Sequence, residues 1–350
     1  MSILDTNRQI ISLARELGLR GIDGPVSQLT GYCIRRIEDL TKGVNLTSLA
    51  QLEEVVAKKL GLEFEEIWSA ADIERIVTKY AVNLKDPVFA SVRTHFNEDT
   101  FGTTFLRKKQ SPSEPDRFVA IIDCRGAKAH RRFFTRWHEV AHLLTLPPKE
   151  GKPVNRSSIK KSPTEQLMDI IAGTVGFFDP VFSPSVERSV QQRGALTFEA
   201  VESLRSAHCP NASFQATLIA CVTRAPTPAV YLEAQMGYKK DELKKLDKNQ
   251  LKLFATDEPV AKLRIARITA NEHAKAYRLR FDRNMEVPEE SIIARLCPES
   301  DESGCSRNAA SSVESLTLWK HSDGNALGLT NVVIEARRYK DCVFALVRPA

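Results

Sequence analysis

The stretch Phe134–Leu146, FTRWHEVAHLLTL, restricts the fold more than any other part of the chain. Phe134, Trp137, Ala141 and Leu144 recur at helical spacing and form an apolar stripe, and Pro147-Pro148 ends the run. A helix of this pattern has to bury its stripe against a core. His138 and His142 are four residues apart, so they share one face, a turn apart, beside the stripe and at the border of a cleft. Two imidazoles placed this way can hold one metal ion. Glu139, one step round the helix, misses the metal but reaches a water bound to it, which is the position of a general base.

A zinc hydrolase needs a third protein ligand and an open fourth position. EQLMD supplies Glu165 and Asp169, again four apart on one helical face. Glu165 can bind the metal through a carboxylate oxygen. Asp169 can accept a hydrogen bond from the far nitrogen of a ligand histidine and so fix its tautomer. Ser162-Pro163-Thr164-Glu165 also fits a capping box with proline at the first helical position, in which Glu165 would serve a backbone N–H instead. His95, His130, His208, His273 and His321 have no partner at metal spacing and read as ordinary polar residues.

The rest of the chain divides into four segments. Residues 1–48 hold two amphipathic helices, NRQIISLARELGL and TGYCIRRIEDLTKG, broken at Gly21, Gly24 and Pro25. Residues 49–190 carry helical patterns in LAQLEEVVAKKLGL and AADIERIVTKYAV. Then come an antiparallel hairpin, FGTTFLRK and RFVAIIDC, and the histidine and EQLMD helices. The hairpin could offer an edge strand to an extended peptide. Residues 191–257 read as helical (TFEAVESLRSAH, ASFQATLIACVTR, KKDELKKL), with one short strand at PTPAVYLEAQ. A composition shift near Thr256–Pro259 opens 258–350, where AKLRIARITA, AYRLRFD, SLTLWKH, NVVIEARRY and CVFALVR read as strands, SIIARL as a short helix and CPESDESGCSRNAASS as a loop. The fold class is α+β.

Composition excludes little. The 350 residues are 42% hydrophobic and 27% charged, as in soluble globular proteins, and no apolar run is long enough to span a bilayer. MSILDTNRQIISLAREL lacks a signal-peptide core, so a cytoplasmic location with no membrane partner is expected. Seven scattered cysteines without a CxxC argue against a disulfide framework and a cysteine zinc site. A net charge of +6 tolerates nucleic acid without requiring it.

FTRWHEVAHLL, entered from the strand RFVAIIDC, and EQLMDIIAGTVGFFDP together resemble the ImmA/IrrE-like zinc metallopeptidases, whose helices carry F-T-x-x-H-E-x-x-H and E-x-x-x-[ND]. The resemblance covers about residues 50–190. It implies a zincin-like peptidase domain at 49–190, a helix-turn-helix-like unit at 191–257 and a GAF-like domain at 258–350. Ala141 stands where the family usually has glycine, Phe133 where it has arginine, with Arg132 one residue early, and Asp169 where many members have asparagine. None of these removes a ligand.

The expected activity is a limited, site-specific cut in a protein regulator such as a helix-turn-helix repressor. His138, His142 and Glu165 would hold zinc, Asp169 would support a ligand, and Glu139 would act as general base. Two imidazoles and one carboxylate suit zinc best, and manganese stays open. A small-molecule effector of the C-terminal domain is compatible with this. The competing reading is a DNA- or protein-binding regulator with a structural metal. Against it, structural zinc sites use four protein ligands and favour cysteine.

Overall fold

The structure is a computed structural model that describes residues 3–20, 24–109, 111–145, 154–157, 162–239, 242, 260–297, 308–321 and 324–350. The chain is α+β with two sheets. It forms two compact units, one of residues 1–185 and 204–217, the other of residues 186–203 and 218–350. No described helix is long and apolar enough to cross a membrane.

The first unit opens with α1 (Arg8–Glu16), α2 (Pro25–Thr41) and α3 (Leu49–Leu60), followed by β1 (Leu62–Ile67), α4 (Ala70–Val77) and α5 (Val92–His95). β2 (Thr100–Leu106) and β3 (Phe118–Asp123) lead into α6 (Arg132–Thr145), then β4 (Val154–Ser157) and α7 (Pro163–Gly176). The sheet order is β1-β3-β2-β4; β1 runs parallel to β3, and β2 is antiparallel to both β3 and β4.

β1, LEFEEI, does not stand out in the sequence because three glutamates interrupt its apolar alternation. Folding pairs each of them with cations: Glu63 with Lys79 (2.5 Å), Glu65 with Arg75 and Lys79 (2.8 and 2.6 Å), and Glu66 with Arg132 and Arg136 (2.6 and 2.9 Å). β2 and β3 form the expected antiparallel pair. However, β2 is not an edge strand. Its other side is paired with β4, so no extended peptide can add to β2.

Strand alternation separates the two faces of β2. Phe105 enters a cluster with Tyr80, Phe89, Val92, Val119 and Ile121. Gly102 and Thr104 face α6 instead. α6 is buried from Trp137 through Thr145 without a break. The sequence pattern puts its histidines at the rim of a cleft, but β2, β3 and α7 enclose the helix on more sides than one apolar stripe requires. The Arg36 guanidinium donates to the Leu144 carbonyl at 2.8 Å, satisfying one of the terminal acceptors that α6 leaves open. Pro147-Pro148 lies outside the described residues. α1 and α2 pack on α7, and α2 also on α6, so the N-terminal segment shares this unit's core.

α8 (Asp179–Arg193), α9 (Phe198–His208) and α10 (Phe214–Arg224) each contribute residues to both units. In the second unit β5 (Val230–Gly237), β6 (Lys262–Ala270), β7 (Ala309–Ser315), β8 (Asn331–Tyr339) and β9 (Cys342–Pro349) form one antiparallel sheet of order β6-β5-β9-β8-β7. β5 is the strand expected at PTPAVYLEAQ. The sequence pattern places it in the helical segment 191–257, whereas the structure makes it the partner of β6 and β9. A cut before residue 258 would open both its edges. SLTLWKH is a 3-10 turn at Leu316–Leu318, AYRLRFD is not a strand, and part of the expected loop, Ala309–Ser312, lies in β7. Ile292–Arg295 is the expected short helix. The expected KKDELKKL helix, the Thr256–Pro259 boundary and Cys305 lie mostly or wholly outside the described residues. Asn271 ties the start of β5 down, accepting from Ala229 N and Ala274 N and donating to Ala225 O and Thr227 O.

Candidate metal centre

α6 supplies His138, Glu139 and His142, and α7 supplies Glu165 and Asp169. The two helices can approach closely because Gly176 lies against Trp137. A Cβ there would sit 2.9 Å from the indole ring. At the start of α7 the Ser162 hydroxyl accepts from Glu165 N at 3.2 Å, so the Ser162 half of the capping box forms. The Glu165 carboxylate turns instead to the histidines. Oε2 lies 3.0 Å from His138 Nε2 and Oε1 lies 3.3 Å from His142 Nε2. The two Nε2 atoms are 3.2 Å apart.

These separations suit a tetrahedral ion. Ligand atoms about 2.0–2.1 Å from zinc lie about 3.3 Å from one another. The donor chemistry points the same way. Asp169 Oδ1 is 2.9 Å from His138 Nδ1 and accepts its proton, a tautomer assigned from the hydrogen-bond geometry. The lone pair of His138 Nε2 then faces a carboxylate and another imidazole, an arrangement that a shared cation relieves. Burial works against the charge of Glu165. When both imidazoles are protonated instead, hydrogen bonds from His138 and His142, and their charge, outweigh it and hold its carboxyl well below the usual carboxylate range; a bound cation would take the place of those protons. His138, His142 and Glu165 are thus a group that could hold a metal ion.

His138, Glu139 and His142 are almost fully shielded from solvent, at 1%, 0% and 2% exposure. The buried Nδ1 of His142 has no hydrogen-bond partner among the described residues, and Asp169 bonds to the other imidazole, that of His138. Glu139 is held from β2: Thr104 Oγ1 donates to its Oε2 at 2.6 Å, while its buried Oε1 has no hydrogen-bond partner among the described residues. Helical and strand spacing alone do not single out Thr104 or Gly102. The available signal was a glycine inside a strand pattern, which marks a close approach of another group. Arg132 forms an ion pair with Glu66 and donates a hydrogen bond to Asn211 Oδ1 rather than entering the metal centre.

A concavity of about 910 Å³ lies at the end of β3, lined in part by Phe101, Asp123, Arg125, Lys128 and Arg131. It contains none of the five residues singled out from the sequence. Its buried carboxylate, Asp123, is already held by Arg125 (2.8 Å) and Lys128 (2.7 Å). No protein-family model matches the chain, and no curated protein matches it in sequence.

Proposed function

We propose that the chain is a zinc-dependent endopeptidase that makes a limited cut in a protein regulator, such as a helix-turn-helix repressor. The observation that carries this reading is the convergence of three ligand atoms, from His138, His142 and Glu165, beside a buried carboxylate that has one oxygen tethered and one oxygen without a hydrogen-bond partner among the described residues. A purely structural site would not need Glu139 there. On this reading the first unit is a zincin-like domain, and the five-stranded antiparallel sheet of the second supports a GAF-like sensor.

Zinc held by these residues supplies Lewis acidity to a scissile carbonyl and makes water a better nucleophile. Glu139 takes a proton at Oε1 from the attacking water and hands it to the leaving amine nitrogen. Asp169 keeps His138 Nε2 available as a ligand. The ionised Glu165 adds one negative charge to the donor set.

The test is metal analysis of the purified protein together with cleavage of a proteome-derived peptide library and of candidate repressors. The expected result is one zinc per chain and discrete cuts that disappear in Glu139→Gln while zinc remains. Zinc without any cleavage would favour the regulator with a structural metal. Absence of metal, with His138→Ala indistinguishable from the parent, would refute both readings.

A further inference from the structure

We infer that β2 is part of the catalytic apparatus: Thr104 is a positioning residue that fixes one oxygen of Glu139, and Gly102 makes the surface against which the other oxygen rests. The kinetic part of this inference depends on the peptidase reading. The placement part does not.

A fully buried carboxylate is costly, and a structural one is normally paired with a cation or saturated with donors. Glu139 has neither. Among the described residues its side-chain hydrogen bond comes from Thr104 Oγ1, a short O–H···O bond of 2.6 Å. The bond joins residues 35 apart in sequence, so the helix alone cannot make it.

Oε1 is shaped by a different residue. A Cβ built on Gly102 would stand 2.8 Å from Oε1 and 2.8 Å from Thr135 Cγ2. Thr135 lies one turn before Glu139 on the same face of α6. Any side chain at position 102 would therefore push β2 off the helix or drive the carboxylate from its place. Gly102 and Thr104 are two apart in the strand, so both reach the same face, one as an empty surface and one as a donor. The result is a carboxylate with a single orientation. Oε2 is occupied, and Oε1 is left as the oxygen able to take a proton. Among the described residues the Thr104 hydroxyl bonds to Glu139 and not to a candidate metal ligand.

The test compares Thr104→Val, which keeps shape and removes the donor, with Thr104→Ser, which keeps the donor, and with Gly102→Ala. Each folded variant is assayed for zinc affinity by chelator competition and for kcat and KM on the peptide that the parent cleaves fastest from the library. The Glu139 side chain is placed by crystallography. Thr104→Val should retain parental zinc affinity and KM and lose about 10- to 100-fold in kcat, the worth of one hydrogen bond to a charged group. Its Glu139 carboxylate should leave the parental position. Thr104→Ser should restore both kcat and placement, and Gly102→Ala should displace Oε1. Parental kcat and carboxylate placement in Thr104→Val would overturn the inference, as would a Thr104→Ser variant as impaired as Thr104→Val. A parent that cleaves nothing would defeat the peptidase reading instead, and the carboxylate placement would still decide the role of Thr104. If Thr104→Val does not fold, Thr104→Ser and Gly102→Ala carry the decision: an undisplaced Glu139 in Gly102→Ala refutes the role given to Gly102.

Discussion

Asp169→Ala removes the group that fixes one ligand without removing a ligand. Asp169 Oδ1 sits 2.9 Å from His138 Nδ1, and the Asp169 side chain is only 18% exposed, so water replaces it poorly. Without Asp169, His138 is free to carry its proton on Nε2, the atom that faces Glu165 and His142. Zinc then has to displace that proton and reorder the ring. Losses of this kind cost about 10- to 100-fold in metal affinity, or about 1.4–2.7 kcal/mol. His142 offers no compensation among the described residues, where its Nδ1 has no hydrogen-bond partner to strengthen. Asp169→Asn should be milder, since its side-chain carbonyl can still accept from Nδ1. The assay is zinc titration against a chromophoric chelator at fixed pH, with stoichiometry measured separately. The expected order of affinity is parent, then Asp169→Asn, then Asp169→Ala, all with one zinc per chain at saturation. Parental affinity in Asp169→Ala would refute the reasoning, because Asp169 would then not set the state of His138.

His138→Ala and His142→Ala should each abolish stoichiometric zinc in metal analysis, since a three-ligand site cannot spare an imidazole. Glu139→Gln should bind zinc and the protein target like the parent but cleave about 10²–10⁴-fold more slowly, measured by product mass spectrometry. Asp123 is buried, yet its carboxyl is held below the usual range because hydrogen bonds from Arg125 and Lys128 outweigh the effect of burial. Its stabilising contribution should be full above about pH 4 and fall away as pH drops through the lower folded-state value. Urea unfolding of the parent and Asp123→Asn should therefore differ most at neutral pH and converge in acid, with a neutral difference of about 3 kcal/mol. Gly176→Val should cost about 1–3 kcal/mol by overpacking against Trp137, read as a lowered midpoint of thermal unfolding. Deleting residues 258–350 should give an insoluble product, seen in fractionated lysate, because β5 loses both neighbouring strands.

Local periodicity determined much of this protein. The spacing of His138, Glu139 and His142 fixed which side chains share a helical face, because 3.6 residues per turn leaves no choice. The same rule put Glu165 and Asp169 together on a second helix. It could not say whether Glu165 would serve its own helix end or the histidines, because both are within its reach. The packing of α7 on α6 decided that, with Ser162 taking the cap and the carboxylate taking the imidazoles. β1 was hidden because its glutamates are neutralised by arginines and lysines on α4, α6 and the turn after α4, and alternation of apolar residues cannot show that. The pairing of β2 with β4, the place of β5 in the second sheet and the bond from Thr104 to Glu139 all join residues distant in the chain. Such contacts arise only when the sheet and its covering helix close on each other. The sequence by itself therefore named the chemical groups of the centre, and the tertiary structure alone decided how Glu139 is held.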